Sequence, residues 1–223
     1  SNAFVSRPFG FHVSASGNPG ATSAGGDKYE AAGDSFTVRV DAVGWQESDD
    51  DDGADADDGV PDGHDDGNPE NNADLSDNTV LPSYGVELTG EGVELSSDLF
   101  KPVGGEDPAL AGSTTIPAGS FSGGAGSTAV QYLEVGIIAL SAEVAVDGDY
   151  LGAGNVLGQS RPVGRFTPDD FLVEVRDPGM YAATCNGTFS YVGQAFGYAA
   201  EPMLNVTARN ADGVTTENYR GNF

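Results

Sequence analysis

The chain has 223 residues, 33 of them glycine, and a formal charge of −26 from 35 acidic against nine basic side chains. Such a charge repels a phosphate backbone, which excludes DNA and RNA as partners. A single cysteine, Cys185, excludes an internal disulfide framework and a cysteine-built zinc site, and no apolar run approaches the ~20 residues of a bilayer span, so no membrane contact by this chain is expected.

Glycine richness with only 20% charged residues favours many short strands joined by turns. Ser1–Ala3, "SNA", read as an expression scar, which makes the chain a piece of a longer protein. "FGFHVSA" from Phe9 is the first predicted strand. In "DSFTVRVDAVGW" the residues Phe36, Val38, Val40 and Ala42 fall on one face and Thr37, Arg39 and Asp41 on the other, the period of two of a half-buried strand. An acidic loop follows at 47–78. Beyond it "YGVELTG" reads as a strand, and Gly104–Gly126, "GGEDPALAGSTTIPAGSFSGGAG", as a loop or irregular edge.

Alternation returns in "VQYLEVGIIALSAEV", with Ile138, Leu140, Ala142 and Val144 on one face. "GAGNVLG" at Gly152–Gly158 lacks a following helical pattern and reads as a loop. "GRFTPDDFLVEV" closes the first unit and passes into a second, where Phe171, Val173 and Val175, then Leu204, Val206 and Ala208, alternate with polar residues. The expected fold is all-β: an Ig-like antiparallel β-sandwich over residues 4–168 with the long acidic loop inserted, then a second small or truncated Ig-like β unit over 169–223. That second unit is near the lower size limit for a core of its own. It must lean on the first unit or be incomplete.

Nineteen of the 35 acids lie between Val40 and Lys101, a span without lysine or arginine. A charge block of this kind is commonly a solvated face. Here asparagines are interleaved, and Asp52-Gly53, Asp58-Gly59 and Asp66-Gly67 each place a carboxylate before a residue free to take positive φ. That is part of the grammar of a calcium loop, with oxygen ligands at alternate positions and a glycine at the sixth. With Gly59 as the sixth position, Asp58, the Val60 carbonyl, Asp62 and Asp65 fall on ligand positions, while Asp55 and Asp57 stand one place out of step. With Gly67 there, Asp62, His64, Asp66, Asn68 and Glu70 form the row, and Ala73 stands where the last carboxylate belongs. The string "DDGVPDGHDD" also resembles the loops of thrombospondin type 3 repeats. The expected ligands of a Ca2+ ion are therefore Asp55, Asp57, Asp58, Val60, Asp62, Asp65 and Asp66.

No nucleophile with a base and an orienting acid stands out. His12 lies on a strand and His64 in the acidic loop, and there is no G-x-S-x-G, HExxH or phosphate-loop motif, so the expected role is non-enzymatic. Trp45 ends a strand at the mouth of the acidic loop. It is the best candidate for stacking on a sugar ring, with a core cap as the other reading.

Taken together, "RPFGFHVSASGNPGATSAGG", "GDSFTVRVDAVGWQ", "LEVGIIALSAEV", "VGRFTPDDF", "FSYVGQAF" and "NVTARNADGVTTENYRGNF" resemble the conserved region of MshQ-type proteins, which are encoded with the biogenesis genes of the mannose-sensitive haemagglutinin type IV pilus. The order of "SFTVRVDAV", a loop, "SFSGGAG" and "LEVGIIALSAEV" is also similar to bacterial Ig-like adhesin units of the invasin kind. The resemblance implies a Gram-negative cell-surface, periplasmic or outer-membrane protein with Ig-like units and no catalytic residues to carry over. It implies adhesion or a calcium-stiffened spacer as the role, the alternative being a calcium-dependent carbohydrate-binding module. Its partners would be other segments of the full-length protein, pilus components or a glycan.

Overall fold

The computed structural model describes residues 6–50, 59–88, 90–145, 153–183, 185, 188–221 and 223. The first strands are β1 (Gly10–Ala15), β2 (Ser35–Val43), β3 (Val93–Lys101), β4 (Ala111–Gly112) and β5 (Thr115–Ile116). They are followed by β6 (Ala125–Gln131), β7 (Gly136–Val144), β8 (Leu157–Gln159) and β9 (Val163–Phe166). Two antiparallel sheets result, one ordered β1-β2-β6-β4 and the other β5-β3-β7-β8, with β9 also paired to β7. The protein is all-β, and its two sheets bury a common core in the manner of a β-sandwich.

The alternation read from the sequence places the core. On β2 the side chains of Phe36, Val38, Val40 and Ala42 are buried, and on β7 those of Ile138, Leu140, Ala142 and Val144 meet them from the opposite sheet. One end of the core is an aromatic cluster in which the Phe166 ring lies 5.3–5.5 Å from Tyr29, Phe36 and Tyr132. At the other end Tyr84 packs edge-on against Phe11 and Phe121, 5.5 and 4.9 Å away. Edge-to-face geometry suits the ring quadrupoles.

Two readings need correction. The strand expected at "YGVELTG" is a turn, with Gly85 at φ +81° and Leu88 fully exposed. The strand lies at the second copy of the same tetrapeptide, where Val93 and Leu95 are buried. "VQYLEVGIIALSAEV" is broken at Tyr132–Val135, and its two parts, β6 and β7, belong to opposite sheets. The region 104–126 is an irregular edge as expected, yet it sends Ile116 and Phe121 into the core.

Beyond the sandwich, β10 (Asp170–Asp177) pairs with β13 (Met203–Arg209), and β11 (Met180–Tyr181) with β12 (Tyr198–Ala200). The expected alternation is present there, but its apolar face is uncovered: Phe171, Val173, Val175, Leu204 and Val206 are all exposed. The return segment 210–218 ties the root of this ribbon to the sandwich. Buried Glu134 accepts the N–H groups of Glu217 and Asn218 at 2.7 and 3.3 Å, and the Asn218 amide donates to the Glu106 and Val135 carbonyls. Asn210 donates to the Leu133 carbonyl, and Ala211 N–H to Ala32.

The tightest packing constraint in the sandwich lies between β8 and β1. A Cβ at Gly158 would fall on the Phe11 carbonyl, whereas one at Gly119 would meet nothing within 4 Å. Gly158→Ala is expected to destabilise the fold by about 1–3 kcal/mol or more and Gly119→Ala to leave it almost unchanged, as read by paired urea denaturation curves.

Candidate functional site

The acidic loop leaves β2 and returns beside it. Gly44 N–H donates to Thr79 O at 2.9 Å and Leu81 N–H to Ala42 O at 2.8 Å, so a short ladder closes the neck. Inside the neck the Asn78 amide donates to Gly44 O at 3.0 Å and to Asp49 Oδ2 at 2.8 Å. Ser48 Oγ donates to Asp49 Oδ1 at 3.2 Å, and Trp45 Nε1–H to Asp50 Oδ2 at 2.8 Å. Asp49 and Asp50 are both buried, and among the described residues neither pairs with a lysine or arginine. The side chains that donate to them, those of Trp45, Ser48 and Asn78, are neutral.

From residue 59 onward the loop is laid along the sandwich rather than held out into solvent. Arg7 Nη2–H reaches the Gly59 carbonyl at 2.9 Å, and Pro61 packs where a side chain at Gly10 would stand. Leu75 joins Phe9 and Val43 in a small second apolar cluster. Asn72, buried, donates to Gln159 O, Gln159 Oε1 and Ser160 O at 3.0–3.3 Å, which fixes the loop to β8 and the residue after it. The glycines after Asp58 and Asp66 take φ of +85° and +74°, as the Asp-Gly pattern predicts.

His64 is the second tie to β8. Gln159 N–H donates to its Nδ1 at 2.8 Å, so the ring proton sits on Nε2 and is donated to Ala73 O at 3.1 Å. Both nitrogens are thus engaged, and the ring serves as a neutral structural pin rather than the metal ligand of the Gly67 register. Burial pushes its pKa below the ordinary 6.5, helped by His12 and opposed by the Ala73 carbonyl, Asp49 and Asp62. Between this part of the loop and β1 lies a cleft of about 220 Å³ onto which His12, Ser14, His64, Asp74 and Arg161 open.

Of the expected calcium ligands, Asp55, Asp57 and Asp58 lie outside the described residues. The structure does not bring Asp62, Asp65 and Asp66 together: among the described residues no three histidine, cysteine, aspartate or glutamate side chains converge as a metal cage. Asp66 turns onto its own loop, accepting from Asn68 N–H at 2.7 Å and Asn71 Nδ2 at 2.8 Å, and these bonds hold its carboxyl below the usual range. Asp65 is exposed, and Val60 is half-buried. At the neck, Asn78 Oδ1 is buried without a hydrogen-bond partner beside Asp49, an oxygen of the kind a hard cation takes. Trp45 does not cap the core. Its ring is 56% exposed and oriented by the bond to Asp50.

The sequence reading missed Asp49, Asp50, Asn72 and Asn78 as the residues that organise the loop. Their partners are 29 to 88 positions away for the asparagines, so no local spacing signals them. The state of His64 gives a pH dependence. The folded protein favours the neutral ring, so this contribution to stability is whole above about pH 6.5 and is lost as pH falls through that value towards the depressed folded one. Denaturation midpoints at about pH 7.5 and about pH 5.5 are expected to differ, with a smaller difference in His64→Gln.

Comparison with protein families matches residues 7–131 to the second domain of DUF6701 and residues 134–223 to its third domain. No curated protein and no solved structure matches the chain.

Proposed function

The chain belongs to the DUF6701 family, and on that premise we propose that it is a non-enzymatic module of an MshQ-like, pilus-associated surface protein of a Gram-negative bacterium. It acts in adhesion or as a spacer stiffened by calcium. The observation that carries this reading is the neck of the acidic loop. Two buried carboxylates, Asp49 and Asp50, stand there among neutral donors, within a span that has no lysine or arginine.

Burying carboxylate charge without a cation is costly. Ca2+ is the fitting counter-ion because the groups on offer are hard oxygens. The sequence ligands Asp55, Asp57, Asp58, Val60, Asp62, Asp65 and Asp66 would supply the remaining oxygens in the stretch just beyond the neck. An ion there would tie residues 49–66 to a loop half that amide bonds already fasten to the sandwich. The module would then resist bending along its length. Its partners are other segments of the full-length protein and pilus components.

A second reading is favoured by one observation, the exposed Trp45 ring held in a fixed orientation by Asp50. A preoriented aromatic face beside carboxylates is how a calcium-dependent carbohydrate-binding module stacks a sugar ring.

One measurement tests the ion that both readings share, and a second separates them. A thermal melt in millimolar calcium is expected to show a higher midpoint than the same melt with chelator, because a ligand of the folded state stabilises it; the rise should vanish in Asp58→Ala plus Asp62→Ala. An unchanged midpoint in the wild type would remove the ion from the account. On a glycan array the spacer is expected to show no calcium-dependent sugar preference, and a preference abolished by Trp45→Ala would favour the second reading instead.

A further inference from the structure

We propose that the apolar face of the β10–β13 ribbon is a self-association surface on which a second copy of this chain packs face to face. The register puts Phe171 opposite Ala208, Val173 opposite Val206 and Val175 opposite Leu204. Side chains directly opposite in a ladder share a face, so these six form one continuous apolar surface. The other face is mixed, with Glu174, Arg176, Asn205 and Thr207 beside Leu172 and Met203. Only the root of the apolar face is covered: Ala208 is buried, and the Tyr219 ring stands edge-on to Phe171 at 5.4 Å. Beyond it Val173, Val175, Leu204 and Val206 are 57–65% exposed.

A half-sandwich of this kind needs a second apolar sheet about 10 Å away. The area is sufficient. Five large side chains, each roughly half exposed, leave on the order of 500 Å² per copy, so a symmetric pair buries about 1,000 Å², the lower bound of a specific interface. In the neighbouring β11–β12 pair Tyr181 and Tyr198 are also exposed, their rings stacked 5.1 Å apart.

The uncharged ribbon face is the one place where a second copy can approach against the negative charge of the chain. Of the 35 acids 28 precede Asp169, against six of the nine bases, so the sandwich of one copy repels that of another over most of its surface. The ribbon is the exception. From Pro178 to Leu204 the only charged residue is Glu201, and the six face residues carry no charge. Two copies related by a twofold axis present each other with the same alternating apolar face, which is the self-complementarity an isologous contact requires. A patch of this size is on the scale of the largest apolar patch a monomer carries, and such patches are often functional.

The test is sedimentation equilibrium of the whole chain from about 1 to about 100 µM. Dimer is expected within that range, and association should tighten with added salt as the like charge of the two sandwiches is screened. Val173→Glu plus Val206→Lys is expected to weaken association at least tenfold, since pairing would bury charged side chains, while each copy keeps its fold because the two new charges are opposite in sign and directly paired across the ladder. Monomer at every concentration would overturn the proposal and leave the face to another segment of the full-length protein or to a different protein. A dimer that persists in the double variant would overturn it as well, by placing the contact elsewhere.

Discussion

Like-charge repulsion is the constraint under which every part of this molecule is built. With 35 acids and nine bases, ion pairing can neutralise only a small part of the surface, and among the described residues the close pairs are Asp41 with His12 and Arg39, and Asp170 with Arg209. The long-range order therefore rests on contacts that carry no net charge. Apolar burial between the two sheets is the larger of these, since it is indifferent to the field around it. The smaller is a set of asparagine amides that bind backbone groups far away in the chain. Asn18 holds Pro162 O and Gly164 N–H, Asn72 holds β8, Asn78 closes the acidic loop, and Asn210 and Asn218 fix the ribbon root. An amide donates and accepts without adding to the charge, which makes it the fitting side chain for joining segments on a strongly acidic protein.

The same logic accounts for the acidic loop. Its described part is ordered by a proline on a glycine, by leucine and phenylalanine, by amides and by a neutral histidine. Its carboxylates differ in what they do. Asp66 and Asp74 satisfy themselves with neighbouring N–H groups, while Asp49 and Asp50 are drawn inside by Ser48, Asn78 and Trp45. The neck thus buries two adjacent carboxylates among neutral donors, which is a setting where a cation would contribute strongly.

Much of the fold was legible because period-two alternation states directly which side of a strand faces apolar surroundings. Phe36, Val38, Val40 and Ala42 needed nothing more. The failures have physical causes. Gly-Val-Glu-Leu occurs at Gly85–Leu88 and again at Gly92–Leu95, and no local preference separates two identical tetrapeptides. The choice is made by Gly85 at positive φ and by β7, which pairs with the second copy. On the ribbon the pattern of Val173 and Val206 was read correctly as strand, but alternation says that a face is apolar and not what covers it. In the acidic loop the Asp-Gly turns were visible since their chemistry is local. The clamps from Asn72 and His64 to β8 were not, because each joins residues more than 85 positions apart.

The seam between the two family matches, at residues 131–134, runs between β6 and β7. These strands lie in opposite sheets, and β7 pairs with β3 from the other side of the seam along its whole length. Neither matched stretch therefore holds a closed core by itself: Val38 and Val93 are on one side, Leu140 and Phe166 on the other. Exchanging either stretch alone would therefore leave an open half-core. A recombination joint at the seam would have to bring a partner already shaped to the exposed half-core, so the unit that can be duplicated, transferred or lost is the pair.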